Sequence, residues 1–444
     1  MKKGISLLVA LCICITTICT PFSVAAAYDP GFDPISQGVY LVNMDTDTVI
    51  YEKNKDTQFV PASLTKVMTA IVALESVPSE EIPTFLQTQV TAPSYIFDEL
   101  YGLDASTADI RPGETLTMQD LLYALLLASA CEAASIIADY VSGGDIDAFV
   151  QKMNDKAKEL GANNTVFVDP HGLDEQTQRS TAYDMYLITS YAMQNPTFAQ
   201  IATTQSYTMA ATNKHSETRR IQHTNHMMSK YLGGSYYDSR VKGIKTGTAT
   251  GIKNLVSMAE EDNYHYMLVL MGASTAQNTT PTYEDASNLY DWAFDDFSFK
   301  TVAEPGEKMI PNNVKVENGK DTDAVVLTPK SQVVELLPSN IDPSSIMWDV
   351  SRLPQTVNAP IHQGDEIGEV DLRLADEVIQ TVTVVAAQDV SLSLSAFIWN
   401  GVTYVVTSWW FLLILALLVC IAIAYFVVVV RYNRKKKAKR HRRR

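Results

Sequence analysis

Ser63 and Lys66 stand three residues apart in the segment Pro61-Ala62-Ser63-Leu64-Thr65-Lys66. On a helix, that spacing puts both side chains on one face. A serine hydroxyl is a poor nucleophile until a neighbour takes its proton. A partly desolvated lysine, its pKa lowered by burial, can take it. Backbone N–H groups at a helix start also favour an oxyanion. Taken alone, the tetrapeptide reads equally well as a serine N-cap and a solvent-facing lysine. Lys245-Thr246-Gly247-Thr248 supplies a second lysine, hydroxyls and a glycine. On a strand edge, this set suits a carboxylate-bearing ligand that adds as an extra strand, with Gly247 allowing close backbone approach. Taken alone, it is a turn. Ser129-Ala130-Cys131 lies between the two and by itself reads as a packed helix end with a small buried thiol. The order S-x-x-K, then S-x-x after roughly 60 residues, then K-T-G after roughly 115 more, is far less common by chance than any one part.

These residues need elements to hold them. Gly38–Val42 and Thr48–Tyr51 are β-branched and aromatic runs around Asp45-Thr46-Asp47, and predict a hairpin. A helix is expected from Ser63 to Leu74. Two more are expected within Leu116–Tyr140, where Leu121, Leu122, Leu125 and Leu126 recur at helical spacing. Asp145–Leu160, stopped by Gly161, and Thr181–Met193 continue the helical part. Asn254–Ala259 and Tyr264–Met271 predict a second hairpin, and Thr282–Phe294 a closing helix. Strands at both ends with helices between them indicate an α/β (α+β) domain with an antiparallel sheet and a helical cluster. From 298 to 390 the texture turns to Val, Pro, Asp and Gly with short strand-like runs, which predicts a small all-β domain.

The ends carry targeting signals. Lys2 and Lys3 precede an apolar stretch closing at Ala25-Ala26-Ala27, so residues 1–27 read as a signal peptide and the catalytic body as 28–297. Residues 391–408 are expected as a linker. Residues 409–430 are 22 positions without charge, about 33 Å as a helix, long enough for one transmembrane span. Trp399, Tyr404, Trp409 and Trp410 mark its outer side, and ten Lys and Arg within 431–444 mark a cytoplasmic tail. The catalytic body is therefore expected outside the cell membrane.

The 444 residues carry 35 Lys and Arg against 50 Asp and Glu, a net charge of −15. Without the two N-terminal lysines and the ten basic residues of the tail, the exported part keeps 23 bases against all 50 acids, a net −27. That balance argues against a nucleic-acid partner. Cys12, Cys14, Cys19 and Cys420 lie in the terminal apolar segments, leaving Cys131 alone, so neither a disulfide framework nor a multi-cysteine zinc site is expected. His223 and His226 sit three apart without a third ligand and read as a surface pair, so no metal is expected. No phosphate-binding glycine loop occurs, and no cofactor is expected. Met227-Met228 reads as core.

Beyond the three motifs, the stretches PASLTKVMTA, Asp169–Met185 (DPHGLDEQTQRSTAYDM), His223–Met228 (HTNHMM) and Val241–Ala259 (VKGIKTGTATGIKNLVSMA) resemble the low-molecular-mass penicillin-binding proteins, the serine D-alanyl-D-alanine carboxypeptidases. Asn358–Val370 resembles the small C-terminal β domain of that family. The resemblance covers roughly Gly38–Val390 and implies a penicillin-binding/β-lactamase-like serine transferase fold. It implies an acyl-enzyme cycle on peptidoglycan stem peptides, with β-lactams as covalent inhibitors. Ser63 would attack the carbonyl between the terminal D-alanines, with Lys66 as general base. The N–H groups of Ser63 and Thr248 would form the oxyanion hole. Ser129 would relay a proton to the leaving amine, and Lys245 and Thr246 would hold the terminal carboxylate beside Gly247. One departure stands out. The family's second motif is S-x-N, and Cys131 occupies the asparagine position. A thiol is a weak donor and acceptor, so a slow or inactive homologue that only binds muropeptides or β-lactams is the second reading. A β-lactamase ranks third. It would need a deacylating base between the second and third motifs, where Glu159 and Glu175 lie in carboxypeptidase-like context.

Overall fold

A computed structural model describes residues 28–276, 280–307, 310–311, 314–374 and 377–441. The expected signal peptide lies outside the described residues. The chain divides into two compact units. Of the described residues, one unit holds those up to Phe299 together with Leu336–Ile341, and the other holds the rest.

The first unit is built on five antiparallel strands. These are β1 (Gly38–Asn43), β2 (Thr48–Lys53), β3 (Lys245–Ala249), β4 (Ile252–Glu261) and β5 (Tyr264–Ser274), in the order β2-β1-β5-β4-β3. The N-terminal hairpin thus pairs through β1 with β5, Tyr40 opposite Val269, and β3 is left at the edge. Both predicted hairpins form. The helical part contains α1 (Thr65–Leu74), α2 (Met118–Leu126), α3 (Cys131–Ser142), α4 (Ile146–Glu159) and α5 (Ala182–Met193), and α6 (Pro281–Asp296) closes the unit.

All ten residues of α1 are buried, Thr65, Lys66 and Thr69 among them, so those three polar side chains need partners inside the protein. Helix α2 starts with a reciprocal cap. Thr117 Oγ1 accepts from the Asp120 N–H at 3.0 Å, and the Asp120 carboxylate accepts from the Thr117 N–H at 3.2 Å. Helix α3 ends on Gly143 at φ 68°, a left-handed cap open to glycine. One apolar core packs α1–α5 with Val42, Val256 and Val269 from the sheet. A second joins the sheet's other side (Val39, Leu41, Leu255, Leu268) to Leu289 and Tyr290 of α6 and to Met227 and Met228, which are core as expected.

The second unit contains a four-stranded antiparallel sheet. Its strands are β6 (Leu327–Pro329), β7 (Met347–Asp349), β8 (Glu366–Leu374) and β9 (Glu377–Ala386), in the order β6-β9-β8-β7. After it come α7 (Leu394–Thr407) and α8 (Trp409–His441). Most of the expected linker 391–408 is therefore helical. Ser393 caps α7, its Oγ accepting from the Ala396 N–H at 3.3 Å, and no charge or proline interrupts the run that follows.

Candidate active site

The chain enters the first motif through a strained turn. Ala62 sits at φ 49° and opens the short 3-10 turn Ala62–Leu64 that runs into α1. A left-handed alanine costs energy and persists only where its surroundings hold it. Those surroundings include Asn254 of β4, whose Nδ2 donates to the carbonyls of Val60 (2.9 Å) and Pro61 (3.2 Å). Its Oδ1 accepts from the Gly272 N–H at 2.8 Å. Gly172 approaches the same turn from the other side. It has φ +86°, and a Cβ there would overlap the Ala62 carbonyl oxygen. A Cβ on Gly247 would lie 2.9 Å from the Pro61 oxygen, so the β3 edge also runs against this turn.

Lys66 is one turn into the helix, fully buried, with Nζ 3.0 Å from Ser63 Oγ. The same Nζ donates to the His171 carbonyl at 2.6 Å and lies 3.4 Å from Cys131 Sγ. Burial pushes the Lys66 pKa down. The Cys131 sulfur and the carboxylates of Asp169 and Glu132 oppose that shift without reversing it.

Ser129 lies between α2 and α3 at φ 60°. Its Oγ accepts from Lys245 Nζ at 2.9 Å, and Lys245 also donates to the Thr246 carbonyl at 2.8 Å. Lys245 is fully buried, and burial and the neighbouring charge of Lys66 together drive its pKa well below the ordinary value. Cys131 is the first residue of α3. It is buried, and its N–H is held by the Ser106 carbonyl at 2.8 Å. On β3, Thr246 is half-buried and Thr248 exposed, and their strand partners are Leu255 and Lys253. Cys131 Sγ faces the Ser129 carbonyl at 3.9 Å, which links Ser63, Lys66, Ser129, Cys131 and Lys245 in one polar cluster, and the register puts Thr246, Gly247 and Thr248 along the edge strand beside it.

Two residues that support this cluster had no role in the sequence reading. Asp169 organises the loop that supplies the His171 carbonyl. Its carboxylate accepts from the N–H groups of His171 (2.9 Å), Gly172 and Asp174 (2.9 Å), and from Gln178 Nε2 (3.0 Å). Burial raises its pKa, but the contact with His171 and these backbone donors outweigh it and hold it at about 2. Asn254 read only as a strand residue, and nothing local marks its reach to the Ser63 turn.

The two histidines are not the surface pair the sequence indicates. His226 is exposed, but His223 is buried, its Nε2 on the Ile244 carbonyl at 3.1 Å and its Nδ1 accepting the Asn225 N–H at 2.9 Å. Burial and the nearby Lys245 lower its pKa to about 3, so it is neutral with both nitrogens engaged. Of the glutamates weighed as deacylating bases, one is in an ion pair and the other meets the chain just past β3. Glu159 pairs with Lys156 at 2.9 Å, and Glu175 accepts the Thr250 N–H at 2.9 Å.

Residues 26–275 match the family model described as D-alanyl-D-alanine carboxypeptidase, and 297–391 match the model of the penicillin-binding protein 5 C-terminal domain. The chain belongs to the D-alanyl-D-alanine carboxypeptidase family. As a serine-type carboxypeptidase of this family, it is 27% identical over 356 residues to the D-alanyl-D-alanine carboxypeptidase DacF of Bacillus subtilis, covering 80% of this chain and 85% of that one. The crystal structure of the Streptomyces K15 DD-transpeptidase is 29% identical to the carboxypeptidase, with TM-score 0.53, covering 60% of this chain and 98% of that one. Penicillin-binding protein 5 from Haemophilus influenzae shares the fold at TM-score 0.60, with 24% identity and 81% and 98% of the two chains covered.

Proposed function

We propose that the chain removes the terminal D-alanine from peptidoglycan stem peptides through an acyl-enzyme on Ser63, held at the cell membrane by α8 with the catalytic unit outside. The observation that carries this reading is Lys66 Nζ at 3.0 Å from Ser63 Oγ, fully buried and shifted toward its neutral form. Neutral Lys66 takes the hydroxyl proton as Oγ attacks the carbonyl between the two D-alanines. The N–H groups of Ser63 and Thr248 meet the oxyanion. Ser129, bonded to Lys245, passes a proton to the departing amine. Lys245 and Thr246 hold the terminal carboxylate. Water then releases the shortened peptide and regenerates Ser63. Penicillin enters at the same serine.

The experiment incubates the detergent-solubilised full chain with diacetyl-lysyl-D-alanyl-D-alanine and assays free D-alanine, with Ser63→Ala as the blank. Serine-dependent release is expected. Residual labelling of Ser63→Ala by a fluorescent penicillin would sink the nucleophile assignment.

A second reading comes from Cys131, whose sulfur is the weakest of the three contacts made by Lys66 Nζ. In that reading the protein acylates slowly and serves as a muropeptide or β-lactam binding protein. Covalent penicillin on Ser63 without D-alanine release is the outcome that favours it.

A further inference from the structure

The segment His223–His226 approaches the cluster without a role in the cycle above, and one of its side chains touches β3. Thr224 Oγ1 lies 2.7 Å from Thr246 Oγ1. We infer that Thr224 is a positioning residue of the carboxylate subsite, setting the direction in which the Thr246 hydroxyl donates. This rests on the reading of Thr246 as a carboxylate ligand.

The segment is fixed from three directions. The Thr224 N–H donates to the Leu127 carbonyl at 3.0 Å, just ahead of Ser129. Tyr283 Oη, from α6, donates to the Thr224 carbonyl at 2.9 Å. Asn225 Nδ2 donates to the Gly243 carbonyl at 2.7 Å, and His223 Nε2 to that of Ile244 at 3.1 Å, both immediately before Lys245. The Thr224 backbone is therefore tied to the Ser129 loop, to α6 and to the approach to β3. Its β-branched side chain has few rotamers in which to move away.

Chemistry makes that contact consequential. Lys245 Nζ is buried and already donates to Ser129 Oγ and the Thr246 carbonyl. A direct side-chain donor next to it on β3 is the half-buried Thr246 hydroxyl. A carboxylate only accepts, and a hydroxyl has one proton. In this structure Thr246 donates that proton to Thr224. To meet a carboxylate, Thr246 must turn its proton outward, which leaves its lone pair toward Thr224. The Thr224 proton then fills that place. Two hydroxyls in series stay paired in both states, and the second strengthens the charge-assisted bond made by the first. With a methyl group at that place, Thr246 has no donor behind it once it turns to the ligand.

The test compares Ser63 acylation of the full chain by benzylpenicillin, which carries a carboxylate, and by its methyl ester, which does not. Thr224→Val is expected to slow the benzylpenicillin reaction about tenfold and leave the ester unchanged, with Thr224→Ser restoring the rate. If Thr224→Val fails to fold, as judged by its melting curve, Thr224→Ala replaces it with the same expectation. Equal slowing with both reagents, or no slowing with either, overturns the inference and leaves the Ser63 reading intact. A wild-type chain labelled by neither reagent overturns the Ser63 reading and the inference with it.

Discussion

Lys66 is held by contacts of unequal strength. The His171 carbonyl and Ser63 Oγ are strong partners, while Cys131 Sγ at 3.4 Å is a weak one. An asparagine at 131 would bring a carbonyl oxygen to the same Nζ and an amide to the substrate side. Cys131→Asn is therefore expected to raise the rate of Ser63 acylation about tenfold, a gain of about 1.4 kcal/mol in transition-state stabilisation. Stopped-flow measurement with a fluorescent penicillin reads this directly. A fall in rate would mean that the pocket has adapted to the thiol, and would remove the main support for a degraded second motif. At this scale the sequence was informative about residue types and poor at supporting contacts. Spacing brought out Ser63, Lys66, Ser129 and Lys245, which the fold joins as two bonded pairs at 3.0 and 2.9 Å. The amide of Asn254 and the hydroxyl of Thr224 make bonds across tens to hundreds of sequence positions, and no local pattern encodes such a partner.

The loop after α4 is the element that couples charge to Lys66. Asp169 ties down four donors, and through the His171 carbonyl it fixes where Lys66 Nζ rests. Its negative charge also supports the protonated form of Lys66. Removing that charge lowers the lysine pKa further. In Asp169→Asn the acid limb of kcat/KM, which rises as Lys66 loses its proton, is expected to move to lower pH. A purely structural role would lower the plateau and leave the limb in place. The stability effect has its own sign. Asp169 has a folded pKa of about 2, below the ~3.9 of a free carboxylate, so it contributes on the order of 2 kcal/mol above pH ~4, lost as pH falls toward 2. The helices and hairpins were legible because their apolar periods are long and clear, as in Leu121–Leu126 and Tyr264–Met271. Helix α7 was read as a linker because it is short and uncharged, although Asn400, Thr403 and Thr407 recur in it at helical spacing, and its N-terminal signal is the single cap at Ser393.

At the scale of the whole molecule, charge and hydropathy divide the chain in one way only. Twenty-three bases and all 50 acids lie between Tyr28 and Val430, and the ten bases of the tail follow the apolar stretch directly. Helix α8 contains the candidate span Trp409–Lys435, uncharged as far as Val430 and not buried within the protein, whereas α7 at 14 residues is about 21 Å long and too short to cross. If α8 spans the bilayer, the full chain stays in the membrane pellet through high-salt and alkaline washes and leaves only with detergent. If the basic tail alone held it to anionic lipid, high salt would release it, because screening removes that attraction. A chain ending at Ser408 keeps α7, with Phe397, Ile398, Trp399 and Tyr404 exposed, and lacks α8 and the tail. It is expected in the soluble fraction, with D-alanine release per molecule unchanged, because none of the residues proposed for catalysis lies beyond β4. Retention of that shortened chain in the pellet would move the anchor from α8 to α7 and overturn the assignment of the span.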